Sequence, residues 1–137
     1  MTTPELFRLD KRMALITGSS GGIGFALARG LAQSGATVIL NGRNADKLAA
    51  AATELRAEGL SVHARVFDAS DATVVQIAID DIESTLGAID ILINNAGMQR
   101  RAPLEDFTTE HWHELMRTNV DSVFLVGQAV ARKMIPR

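Results

Sequence analysis

Compact apolar runs and helix-period stretches alternate along the whole chain. Residues 13–17 form a short apolar run that ends in glycines, which predicts a buried strand. Ile23, Leu27 and Leu31 then recur at i, i+4 and i+8. That spacing makes an apolar helix stripe, and Ser34-Gly35 supplies a left-handed stop. Residues 37–40 are β-branched and apolar and predict a second strand. Asn44 is a good N-cap for an alanine-rich helix over 45–56, ending near Gly59. Residues 61–67 alternate and predict a third strand. Residues 71–86 read as a helix with Val74, Val75, Ala78 and Ile82 toward the sheet, capped by Ser70 or Asp71 and stopped by Gly87. A fourth strand follows over 89–93, then a loop over 100–107. Thr108 or Thr109 caps a long last helix through Trp112, Leu115, Met116, Val120, Phe124 and Val130, with Pro136 past its end.

Continuous apolar strands separated by helices predict an α/β fold, a parallel sheet covered on both faces. Right-handed crossovers make it doubly wound and put the ligand crevice at the carboxyl ends of the strands. The sequence shows no repeats, linkers or low-complexity segments. Strand four would be an apolar parallel edge, and the last helix would lead into no strand. The pattern therefore reads as the N-terminal portion of a larger domain.

Composition narrows the partners. Of 137 residues, 47% are apolar and 22% charged, with a net charge of −2. No basic field favours nucleic acid or an anionic membrane surface. Cysteine is absent, which removes disulfides and thiolate chemistry. No apolar run approaches the roughly 20 residues of a membrane span. The first residues lack a basic and then apolar leader pattern, so the expectation is a cytoplasmic protein without a secretory signal. His111 and His113 are two apart on a helix and face different directions, so no metal is assigned. Asp80, Asp81 and Glu83 read as a solvated helix face. Trp112 and Phe124 are expected in the core or at an oligomer interface.

The candidate chemistry sits in two places. The first is Thr17-Gly18-Ser19-Ser20-Gly21-Gly22-Ile23-Gly24, between strand one and the first helix. A helix N-terminus carries unpaired N–H groups and about half a positive charge, so it attracts phosphate. Glycines let the backbone approach such a ligand. The second is Asn94-Asn95-Ala96-Gly97, after strand four.

Together these two motifs resemble the short-chain dehydrogenase/reductase family, and the resemblance covers the whole chain. It implies a Rossmann-type fold, a nicotinamide cofactor, and hydride transfer to or from a carbonyl or alcohol. Gly18, Ser19, Ser20, Gly21, Gly22, Ile23 and Gly24 would hold the pyrophosphate. Asp68 matches the aspartate that bonds the adenine amino group, with Ala69 as nearby backbone. Asn95, Ala96 and Gly97 match the stretch lining the cofactor ribose, while Asn94 reads as structural. Asn119 matches an asparagine that holds a water in a proton relay. At the end of strand two, Gly42 stands where an NAD site usually places a carboxylate, and Arg43 offers a bidentate partner for a 2′-phosphate. The expected cofactor is NADP(H), with NAD an open alternative.

The family's serine, tyrosine and lysine, on its fifth strand and the helix after it, have no counterpart in residues 1–137. The sequence contains no tyrosine, and Ser122 is no substitute for the serine. The domain is thus read as a nucleotide-binding domain that stops before those segments. Within the family, the stretch Gln99-Arg100-Arg101-Ala102-Pro103 resembles members that act on sugar acids, and Arg100 or Arg101 would pair with the substrate carboxylate. The resemblance also implies a dimer or tetramer through the last helix. Two alternatives stay open: a reductase of another sugar, polyol or 3-oxoacyl compound, and a nucleotide-binding fragment without turnover.

Overall fold

The computed structural model describes residues 4–137. Four parallel strands form one sheet: β1 (Met13–Ile16), β2 (Thr37–Gly42), β3 (Val62–Val66) and β4 (Ile91–Ile93). Their order is β3-β2-β1-β4. The chain thus leaves β1 toward one edge and returns on its other side, a reversal that opens a crevice beyond the ends of β1 and β4. Register is set by Ala14 opposite both Val38 and Ile91.

Helices cover both faces. α1 (Gly22–Gln33) and α2 (Ala45–Ala57) lie on one side, and α3 (Ala72–Thr85) and α5 (Ser122–Met134) on the other. Strand alternation divides the core accordingly. Ala14, Ile16, Val38 and Leu40 pack with Ala28, Leu48 and Leu55. Leu15 and Ile39 pack with Val75, Ile79, Ile82 and Val126. Asn44, Asp71 and Thr108 cap α2, α3 and α4 (Thr109–Met116), each accepting first-turn N–H groups at 3.0–3.1 Å. Among the described residues no helix is long and apolar enough to cross a membrane.

Several sequence expectations need correction. The buried stripe of α1 is Gly24, Ala28 and Ala32, while Ile23 and Leu27 are exposed. The small residues face inward because the helix packs close against β1 and β2. On α3 the inward face is Val75, Ile79 and Ile82, and Val74 is exposed. β4 begins two residues late. The Ile89 N–H goes to Glu83 Oε1 at 3.0 Å and its carbonyl to Arg137 at 2.8 Å, so side chains take its backbone groups. The acidic face of α3 is solvated at Asp80 and Asp81, as expected, but Glu83 is largely covered, and all three are paired: Asp80 with Lys133, Asp81 with Arg65, and Glu83 with Arg137. Of the two places expected for Trp112 and Phe124, the core is removed: they are 51% and 62% exposed. The long last helix is interrupted by a π turn over Arg117–Asp121.

Candidate functional site

The two glycine-bearing loops are knotted together by one buried threonine. Thr17 Oγ1 accepts the N–H groups of Asn95 and Ala96, each at 3.0 Å. The Asn95 carboxamide donates back to the carbonyls of Thr17 (3.1 Å) and Gly18 (2.9 Å). An added Cβ on Gly18 would stand 2.8 Å from Ala96 Cα, so only glycine allows this approach. The carboxyl ends of β1 and β4 are thereby held at fixed separation.

A second clamp was not anticipated from the sequence. Asn41, 2% exposed, accepts the Gly18 N–H (3.1 Å) and donates to the carbonyls of Arg65 (3.3 Å) and Phe67 (3.0 Å). Its own N–H goes to Ser19 Oγ at 2.9 Å. A polar residue in an otherwise apolar strand is the signal that could have found it: a buried carboxamide must be satisfied. Ser19 is fully buried, and its hydroxyl also donates to the Ile16 carbonyl at 2.7 Å. Its side chain therefore holds the loop and turns no group toward a ligand.

Beyond these clamps lies a cleft of about 340 Å³. Of the residues singled out in the sequence, it brings together Gly18, Ser20, Arg43, Asp68, Ala69, Ala96 and Gly97. Asn41, Lys47, Phe67 and Thr118 also line it. Gly21 borders an adjoining groove, and Ile23 is exposed on the first turn of α1. Gly24 is buried, and a Cβ there would stand 2.5 Å from the Gly18 carbonyl oxygen.

α1 differs from the other capped helices. Its N-cap is Gly21, which offers no side-chain acceptor. The first-turn N–H groups are left for an external acceptor, the chemistry a phosphate supplies. The space beside Gly22 is open, with nothing within 4 Å of an added Cβ. These features fit a dinucleotide pyrophosphate.

Asp68 closes a turn. Its Oδ1 accepts the Ser70 N–H at 2.8 Å and the Ser70 hydroxyl at 2.7 Å. Burial pushes its carboxyl up, but those bonds and the charges of Arg43 and Arg117 outweigh burial and hold it below the usual carboxylate range. It stays an acceptor at neutral pH.

Asn119 sits in the π turn. Its Oδ1 accepts the Met98 N–H at 2.7 Å and its Nδ2 donates to the Met98 carbonyl at 2.9 Å. Both ends of the carboxamide are taken up in fixing the loop after β4, so the side chain acts as a brace. The π turn shifts the Ser122 N–H to the Arg117 carbonyl, and the Ser122 hydroxyl bonds the Thr118 carbonyl at 2.6 Å.

Arg100 and Arg101 do not line the cleft. Arg100 is paired with Glu114 at 2.7 Å. Arg101 is exposed and, among the described residues, makes no side-chain hydrogen bond or ion pair.

Comparison with known proteins agrees with this geometry. Gluconate 5-dehydrogenase of Gluconobacter oxydans (strain 621H) is 56% identical over 137 residues, covering 100% of this chain and 54% of that protein. The 5-keto-D-gluconate 5-reductase of Escherichia coli (strain K12) is 41% identical over 133 residues, 97% of this chain and 52% of that protein. A crystal structure of a gluconate 5-dehydrogenase from Burkholderia cenocepacia J2315, in complex with NADP and tartrate, superposes with a TM-score of 0.91 at 56% identity. That match covers 96% of this chain and 51% of the other. The chain thus spans about half the length of the curated relatives it matches. The family model described as short chain dehydrogenase matches residues 12–137, and with the knotted glycine loops it shows that the chain belongs to the short-chain dehydrogenase family.

Proposed function

We propose that residues 1–137 form the nucleotide-binding part of an NADP(H)-linked cytoplasmic dehydrogenase that interconverts D-gluconate and 5-keto-D-gluconate. The observation that carries the cofactor reading is the outer end of the cleft: β2 ends in Gly42 and Arg43 follows, so the strand end brings a cation and no carboxylate to a 2′-phosphate, while Asp68 lines the cleft from the segment after β3. The sugar-acid reading is supported by the names and identity of the relatives above. NADP(H) supplies the hydride acceptor or donor. Gly18, Ser20 and the bare first turn of α1, with Gly22 and Ile23, hold the pyrophosphate. Asp68 and Ala69 take the adenine, and Asn95, Ala96 and Gly97 line a ribose. Asn119 acts as a positioning residue through Met98. Arg101 takes the substrate carboxylate, since Arg100 is already paired with Glu114. Serine, tyrosine and lysine would come from segments outside residues 1–137. The exposed apolar side chains of Trp112, Val120, Val123 and Phe124 support self-association.

The test is twofold. Titration with NADPH and with NADH should show tighter binding of NADPH. The full-length protein should oxidise D-gluconate with NADP in preference to polyols and 3-oxoacyl thioesters. Preference for a polyol or thioester would move the substrate class and leave the cofactor reading standing. A second reading, nucleotide binding without turnover by these 137 residues alone, is favoured by their lack of any tyrosine. Turnover by the isolated chain would overturn it.

A further inference from the structure

The outer end of the cleft carries two cations, of which the sequence pattern exposed one. Arg43 leaves the end of β2, and Lys47 lies on the first turn of α2; both line the cleft. Asn44 between them caps the helix and accepts the Lys47 N–H at 3.0 Å. That fixes the Lys47 backbone, and a long side chain at this helix position leans back toward the N-terminus. Among the described residues neither cation has a carboxylate within ion-pair distance, whereas Arg65, Arg100, Lys133 and Arg137 each hold one and Arg29 holds two. Asp46, on the same turn, is not among the residues lining the cleft; Asp68 does line it and feels the charge of Arg43, but it forms no ion pair with either cation and spends Oδ1 on Ser70. Lys47 also borders the adjoining groove beside Ser20 and Gly21, where Gly21 brings no competing side chain.

We propose that Lys47 is a specificity-determining residue, a second cation that grips the 2′-phosphate of NADP(H) together with Arg43. The inference rests on the NADP(H) reading above. A phosphate monoester carries about −1.5 to −2 charges at pH 7, so one guanidinium leaves it under-neutralised. Arg43 offers a planar fork and Lys47 a compact point charge with three donors, so the two need not compete for the same oxygens. The positive end of α2 adds to the same field. An unphosphorylated ribose has no charge for Lys47 to meet.

The experiment measures Kd for NADPH and NADH in the wild-type protein, Lys47→Gln and Lys47→Arg at two ionic strengths. Lys47 is exposed and its cap bond uses backbone, so both variants keep the fold. Lys47→Gln should weaken NADPH about tenfold, which is about 1.4 kcal/mol, and leave NADH within about twofold. Its NADPH affinity should also depend less on salt. Lys47→Arg should retain most of the preference. Equal weakening of both dinucleotides, or of neither, overturns the assignment of Lys47 while the wild-type preference stands. A wild-type protein that does not distinguish NADPH from NADH overturns the NADP(H) reading and this inference with it.

Discussion

Gly18 and Gly22 offer a controlled comparison, because their φ angles are nearly identical and their surroundings are not. Both stand in the left-handed region, at φ +60° and +59°. Alanine in that region costs about 1–2 kcal/mol through the clash of Cβ with the backbone. At Gly22 the penalty ends there, because nothing lies within 4 Å of the added carbon. At Gly18 the carbon meets Ala96 Cα at 2.8 Å. Ala96 is backbone, its N–H tied to Thr17 Oγ1 at 3.0 Å, so it yields only by straining the knot between the loops. Overpacking of that kind adds about 1–3 kcal/mol. Equilibrium urea unfolding should therefore place Gly22→Ala about 1–2 kcal/mol below wild type and Gly18→Ala a further 1–3 kcal/mol lower. In folded Gly22→Ala the new methyl fills the open side of the loop, and Kd for NADPH should rise at least about tenfold. Equal destabilisation by the two alanines would refute the described packing of Gly18 on Ala96. Unchanged NADPH affinity in Gly22→Ala would refute the assignment of that open side to the ligand.

Gly97→Ala should act through Asn119, since its Cβ would lie 2.6 Å from Asn119 Oδ1. Displacing that carboxamide loosens two bonds to Met98, a loss of about 1–3 kcal/mol; in an Asn119→Ala background the same change should cost far less, and additivity in the double-mutant cycle would sink the idea. His63 is held below its ordinary pKa by partial burial and then by the charges of Arg65 and Arg56. Its contribution to stability is complete above the unfolded value of about 6.5 and is lost as pH falls through the lower folded value. Urea midpoints at pH 7.5 and pH 5 should therefore differ less in His63→Gln than in wild type, and an unchanged difference counts against the assignment. Arg101→Ala in the full-length protein should raise KM for D-gluconate at least about tenfold with kcat little changed, whereas Arg100→Ala should have the smaller effect; the reverse ranking would overturn the choice between them.

Much of the sheet was legible because continuous apolar strands and helix caps are local signals. Asn44, Asp71 and Thr108 all cap where the pattern allowed it. The inward face of α1 is not legible from hydrophobic spacing, because the larger residues, Ile23 and Leu27, occupy a helical spacing while the buried positions are Gly24, Ala28 and Ala32. Close helix–sheet packing selects small residues, and hydrophobicity alone cannot report that. The site divides the same way. Its glycines announce themselves by spacing. Asn41 and Lys47 do not, because one is defined by the carbonyls it satisfies across β3 and the other by the cleft that folding opens beside it.

The π turn shows why Asn119 could be noticed in the sequence while its environment could not. An asparagine inside a largely apolar helix signals a local demand, but a regular helix was the expectation around it. Moving the Ser122 N–H to the Arg117 carbonyl lengthens the bonded ring and deprives the Thr118 carbonyl of its usual partner. The Ser122 hydroxyl, 2.6 Å away, takes that place. The exchange keeps the Thr118 carbonyl bonded and coincides with the residue whose carboxamide reaches Met98. A bulge in the last helix is thereby coupled to the loop that carries Gly97, and through Ala96 and Thr17 to the glycine turn on β1. The floor of the cleft is thus a single hydrogen-bonded assembly drawn from β1, β2, β4 and the last helix. A change at any of those elements should be read first as a change in the shape offered to the dinucleotide.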